Sequence, residues 1–121
     1  MRKIGFDRVI PHSDGAGTID KIGDGVSPAR VGERVWIWNG QWKRPLGTAA
    51  EYITLPGAMA VKRPDSASFE VGACLGIPAM TAVHAVSLAD AGPDTTVLVS
   101  GGAGAVANYA IQFAKARGRH P

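Results

Sequence analysis

Cysteine is nearly absent from this chain: Cys74 stands alone among 121 residues. A single thiol excludes an internal disulfide and any zinc knot built from several thiolates, and it fits a reducing compartment, so a cytoplasmic location is expected. Aromatic residues make up only 7% against 16 glycines, a balance that favours tight turns and close backbone packing over a core of large rings. Charge of one sign is not massed. The net charge of +3 is small and the Lys and Arg residues are scattered, so nucleic acid is not the expected partner. No apolar run is long enough to span a bilayer, and Met1-Arg-Lys leads into Ile4-Gly-Phe-Asp rather than the apolar core of a signal peptide, so no membrane partner is expected. Internal repeats and low-complexity segments are also missing.

The most structured stretch runs from Thr95 to Gly118. Thr95 to Val99 is a β-branched, apolar run short enough for a strand buried on both faces, and Gly101, Gly102 and Gly104 close it off. Val106, Ala110, Phe113 and Ala114 then recur at helical spacing, Lys115 and Arg117 fall in the last turn, and Gly118 is suited to a left-handed C-terminal turn. Inside this strand, turn and helix, Gly102-Ala-Gly-Ala-Val-Ala107 fits the G-x-G-x-x-G/A fingerprint of dinucleotide binding. Gly102 allows the sharp turn, Gly104 lacks the Cβ that would hold a pyrophosphate away, and small Ala107 lets helix and strand approach. The amides around Ala105 and Val106 would face the phosphates at the positive end of the helix.

Upstream, the pattern is of short strands. Pro11 to Gly17 reads as a glycine-punctuated turn, Thr18 to Ile22 as a half-buried strand, and Gly23-Asp-Gly25 as the turn that ends it. Val35-Trp-Ile-Trp38 is large on both faces and reads as a strand inside a small barrel or sheet. Asn39 to Pro45 is a polar loop. Thr48 to Leu55 and Ala58 to Val61 are expected as strands, ended by Pro56 and Pro64. Then the period changes. Ser66 or Ser68 can cap a short helix through Ala73 with Glu70 in its first turn, and Pro78 opens a helix whose apolar face is Met80, Val83, Ala85, Val86 and Ala89.

Several of these segments, in this order, resemble the medium-chain dehydrogenases/reductases, and within them the zinc-independent NADPH:quinone oxidoreductases related to zeta-crystallin. The resemblance runs from about Val9 to Gly118. It is carried by Pro11-His-Ser-Asp-Gly-Ala-Gly17, Val31-Gly-Glu-Arg-Val-Trp36, Gly47-Thr-Ala-Ala-Glu-Tyr52, Cys74-Leu-Gly-Ile-Pro-Ala-Met-Thr-Ala82 and Ser100-Gly-Gly-Ala-Gly-Ala-Val106. It implies an α/β chain: a partial GroES-like β-barrel over residues 1–75, then a linking helix and the first strand and helix of a Rossmann domain over 76–121. The resemblance also implies NADPH as cofactor, with NADH not excluded, and a quinone or enone as hydride acceptor. Thr81 would lie near the nicotinamide and its ribose, and Gly102, Gly104, Ala105 and Val106 at the pyrophosphate; no residue is assigned a catalytic role. From the residues alone, Thr81 has a simpler role as a helix hydroxyl bonded to a preceding carbonyl.

Zinc is not expected. Where the zinc-dependent branch of the family has a histidine ligand this chain has Ser13, its cysteine ligand would align near Gly76, and Asn39 to Pro45 replaces the four-cysteine lobe. His84 and His12 read as structural, Cys74 as a small buried hydrophobe, and Trp42 with Arg44 as a solvated loop that might otherwise stack on a flat acceptor. With 121 residues, too few for a two-domain dehydrogenase, the chain reads as an internal fragment whose activity alone is doubtful. Two alternatives follow: a non-catalytic module whose open strand edges form oligomers such as a homodimer, or a truncated inactive product. An acyl-chain enoyl reductase module stays within the same chemistry.

Overall fold

The computed structural model describes residues 5–90 and 92–118. The chain forms two compact units, Met1–Gly76 and Ile77–Pro121.

The first unit is built on a three-stranded antiparallel sheet in the order β1-β2-β3, with β1 at Gly15–Thr18, β2 at Arg34–Ile37 and β3 at Ala60–Lys62. The large side chains of β2 suit a central strand, and β2 pairs on both edges: Gly15 lies opposite Ile37 and Thr18 opposite Arg34 on one side, Val35 opposite Lys62 on the other. Val35 and Ile37 alternate inward and are buried.

The sequence expectation for the first strand is corrected. Gly15 to Thr18, taken as a turn, is the strand, and the backbone after it bends away at Ile19, which still exchanges hydrogen bonds with Glu33 (3.0 Å) and Gly32 (2.8 Å). Small residues sit at this edge because the 46–49 segment comes down on the residues just before it. The expected strand from Thr48 to Leu55 does not form, because its first donors are spent elsewhere. The amides of Gly47, Thr48 and Ala49 donate to the carbonyls of Ile10, His12 and Pro11 at 2.8, 2.9 and 3.1 Å. A Cβ on Gly47 would collide with all three of those oxygens, so only glycine fits. The polar loop after β2 forms as expected. There Trp42 is exposed with the Lys43 ammonium 5.6 Å from its ring, and Arg44 donates to the Thr54 carbonyl at 2.6 Å.

Helix α1 spans Phe69–Ala73 and packs against β1 and β2. Ser68 caps it as expected, its Oγ accepting from the Val71 amide at 3.3 Å. The Ser68 hydroxyl also holds the exposed Glu70 carboxyl below its ordinary value of 4.5, with help from Glu70's own backbone amide and from Arg63. Beneath α1 lies Arg63, 1% exposed, its Nη1 donating to the Pro64 carbonyl at 3.1 Å while Nε and Nη2 find no partner. Its guanidinium stacks 4.9 Å from the Phe69 ring centroid, which returns only part of the cost of burying a charge.

In the second unit, α2 spans Gly76–Leu88 and α3 spans Ala105–Arg117. Ala82, Val86 and Ala110 form its core, with Val99, Tyr109, Phe113 and Ala114 packed around them. Tyr109 and Phe113 stack at 6.2 Å. The last turns of the two helices are tied by Arg117, which donates to Ser87 Oγ at 2.8 Å and to the Val86 carbonyl at 3.4 Å. The expected apolar face of α2 is corrected: Met80, Val83, Ala85 and Ala89 are exposed, and the buried side is Ala79, Ala82 and Val86. This helix is apolar almost all round, so periodicity could not choose its inner face. Gly118 is corrected too. It caps α3 in the right-handed region, at φ −79°, through bonds to the Ala114 and Ala116 carbonyls.

Two outcomes follow for the first unit. Arg63→Met keeps the volume and removes the unpaired charge, and it is expected to raise stability by about 1 kcal/mol or more in urea unfolding. Ser68→Ala is expected to cost about 1 kcal/mol through loss of the cap. It should also return the Glu70 titration, followed by carboxyl NMR shifts, toward 4.5. Because Glu70 is depressed when folded, its contribution is present above the unfolded value and is lost as pH falls through the folded one.

Candidate nucleotide-binding site

Thr95 to Val99 does not form the buried strand expected of it. Among the described residues it pairs with no other strand, and Leu98 is 95% exposed. The two-residue alternation survives nonetheless: Val97 and Val99 line a groove of about 310 Å³ together with Ile111 and Ala114 of α3, while Leu98 points away. A strand buried on both faces needs neighbours along both edges and cover on both sides, and no such neighbours are among the described residues of this unit.

The turn follows at once. Gly101 has φ +70°, so the left-handed step falls there and not at Gly102, where sequence reasoning put the sharp turn. At Gly102 the constraint is instead packing, since a Cβ would lie 3.2 Å from Ile111 Cδ1. The Gly104 amide donates to the Gly101 carbonyl at 2.8 Å and the Gly104 carbonyl accepts from Asn108 at 2.8 Å, which closes the turn and starts the helix. Gly104 is the N-cap residue, extended at φ −76° and ψ 155°, and supplies no side chain to cap. Ala105 and Val106 are the first residues of α3, and no acidic residue sits in its first turn. The positive end of this helix is therefore neither capped by a side chain nor neutralised by a carboxylate, while Lys115 and Arg117 complement its negative end. Such an end accepts an anion.

Thr81 lies in the second turn of α2, exposed, beside the core residue Ala82. Its Oγ1 donates to the Ile77 carbonyl at 2.7 Å, the simpler of its two expected roles. His84 is exposed, and so is Cys74, which corrects the buried hydrophobe expected there; as the C-terminal cap of α1 it faces outward. His12 stands at φ 74°, and its carbonyl accepts from Thr48. The metal question turns on Ser13 and Gly76. Gly76 has no donor, the Ser13 carbonyl is taken by the Gly40 amide at 2.8 Å, and among the described residues no three His, Cys, Asp or Glu side chains are grouped to hold a metal ion. No described helix is long and apolar enough to cross a membrane. Sequence reasoning missed one contact, the approach of Asp14 to Gly76; the only hint was that Gly76 follows Cys74 and Leu75 with no side chain of its own.

Comparison with known proteins places the chain. The alcohol dehydrogenase GroES-like domain family matches residues 2–65, more than half of the sequence, and the chain belongs to that family. A quinone oxidoreductase of Rattus norvegicus is 37% identical over 109 residues, covering 89% of this chain and 32% of that protein. Among solved structures, a quinone oxidoreductase of Pseudomonas syringae pv. Tomato DC3000 superposes with a TM-score of 0.81 at 34% identity, over 97% of this chain and 35% of that one. A thermostable alcohol dehydrogenase of Pyrobaculum aerophilum does so with a TM-score of 0.82 at 28% identity, over 97% and 42%. The chain thus spans about a third of the length of the quinone oxidoreductase it matches.

The open end of α3 can be tested directly. Gly104→Asp introduces a side chain that caps the first-turn amides and places a negative charge there. Its backbone region suits an L residue, and the new Cβ would sit 3.3 Å from the Gly101 carbonyl. Thermal unfolding is expected to show stability unchanged or raised by a few tenths of a kcal/mol. Dinucleotide binding, followed by nicotinamide fluorescence, is expected to be lost.

Proposed function

We propose that this chain serves a nicotinamide-dependent oxidoreductase of the quinone-reductase type, in which hydride passes to a quinone or enone without zinc. The observation that carries the reading is the uncapped, uncharged helix start at Gly104 to Val106, met in a chain whose relatives are quinone oxidoreductases. In this reading residues 1–75 are the GroES-like part and 76–121 open a Rossmann domain. The amides of Ala105 and Val106 hold the pyrophosphate, Gly102 and Gly104 leave it room, and the Thr81 hydroxyl lies near the nicotinamide ribose. A bound NADPH supplies the hydride, and NADH fits these residues as well, since none of them meets the 2′ position. The protein's part is to orient the ring and keep water out. Ser13 and Gly76, poor and absent donors respectively, support chemistry without zinc. A single cysteine, exposed in this structure, supports a reducing cytoplasm.

A second reading has its own support. Leu98 at 95% exposure and the unpaired 95–99 backbone suit strand addition by another copy, which describes a non-catalytic oligomerising module. The two part in one experiment on the purified chain. The oxidoreductase reading expects NADPH at 100 times its Kd to stabilise against urea by about 2.7 kcal/mol, with quinone-dependent NADPH oxidation as the second readout. Concentration-dependent self-association with no nucleotide shift would select the module.

A further inference from the structure

Helix α2 starts without help from its own sequence. The residues that lead into it, Ala73, Cys74 and Leu75, include none of the usual N-cap types. At its first residue, Gly76, the space is already taken: a Cβ there would run into Asp14 Oδ1 and lie 2.5 Å from Asp14 Cγ and 3.0 Å from Asp14 Cβ. Gly76 is buried and Asp14 half-buried. Asp14 presents this carboxylate from a fixed backbone, directly before β1, where its carbonyl accepts a 2.5 Å hydrogen bond from Thr48 Oγ1. The neighbouring Ser13 carbonyl is held by the Gly40 amide. A carboxylate lying against the first residue of a 13-residue helix is at the favourable, positive end of the helix dipole.

We propose that Asp14 is the N-terminal cap of α2, supplied from the lead-in to β1 rather than from the preceding residues, and that position 76 must be glycine to admit it. Asp14 is then a positioning residue. It fixes the first turn of the helix whose second turn carries Thr81, a consequence that rests on the nucleotide reading above. Asp14 reaches no reacting atom in this scheme.

The test is a mutual-rescue cycle on the complete chain, with Gly76→Ala, Asp14→Gly and the two combined. Alone, Gly76→Ala is expected to shift the unfolding equilibrium by roughly tenfold or more, because the new methyl displaces the carboxylate. In the Asp14→Gly background the same alanine should be neutral or mildly stabilising, since alanine is the better helix former. An equal penalty in both backgrounds would overturn the proposal. If Gly76→Ala does not fold, recovery of folding in the double variant supports it and failure to recover overturns it. Asp14→Asn keeps the shape and drops the charge, and it should speed hydrogen exchange at the Gly76 amide several-fold. Unchanged exchange in both Asp14 variants would also overturn the cap. The functional consequence is read separately as a weaker NADPH affinity in Asp14→Gly. If the unsubstituted chain binds no NADPH, the nucleotide reading fails while the unfolding cycle still decides whether 14 and 76 are coupled.

Discussion

The first unit depends on one backbone interlock. Three consecutive amides, at Gly47, Thr48 and Ala49, run into three consecutive carbonyls, at Ile10, Pro11 and His12, at a distance that admits no Cβ on Gly47. Ile10 is held further by the Pro45 carbonyl and by Gln41 Nε2. The interlock forces His12 to φ 74°, a conformation that costs an ordinary residue about 1 kcal/mol or more. In return it sets where the chain leaves for β1. That exit fixes the register of β1 on β2, which turns Val35 and Ile37 inward, and it fixes the backbone from which Asp14 reaches Gly76.

The two units differ in how much they hold in reserve. The first carries an unsatisfied buried guanidinium at Arg63 and a left-handed histidine, and offsets them with a sheet, a capped helix and the Arg30 cluster. In that cluster Arg30 joins Glu33 at 2.7 Å and donates to the Gly57 and Ala60 carbonyls at 2.9 and 2.5 Å. The second unit has a thin core of two alanines and a valine, and leaves Leu98 in water. Burying that one leucine would be worth about 1.5–3 kcal/mol, which is large beside a core of this size. A turn carried by so slight a core gains rigidity from whatever covers it, so nucleotide binding and the covering of Val97 and Val99 are coupled through the same groove.

What was legible in the sequence follows from how local each signal is. Ser68 with Glu70 and the helix from Ala105 to Arg117 rest on contacts within a few residues, and both form. The central strand was readable because bulk on both faces of Val35 to Trp38 needs cover from both sides. Gly15 to Thr18 was not. Its residues are turn formers by propensity, and only the approach of the 46–49 segment and the pairing with Arg34 to Ile37 make them a strand. Thr48 to Leu55 failed the other way, with β-forming residues whose amides are claimed by the interlock. For α2 the pattern itself was silent, since nearly every position is apolar. In the candidate site, the glycine spacing located the turn but misplaced its left-handed step by one residue, because Gly101 and Gly102 are indistinguishable until the φ angles are known.

The helix starts within this one chain make the strongest case for an anion at the turn. Helix α1 is five residues long and has little dipole to neutralise, yet its first turn carries both a Ser68 cap and the Glu70 carboxylate. Helix α3 is thirteen residues long, with a dipole equivalent to roughly half a charge at its start, and has a glycine there and no acid. Propensity does not account for the difference, because Asp or Ser at position 104 would fit the extended backbone and stabilise the helix. A chain that caps its shortest helix and leaves open the end of a long one, behind a turn lined by glycines, forgoes local stability where a bound phosphate would restore it.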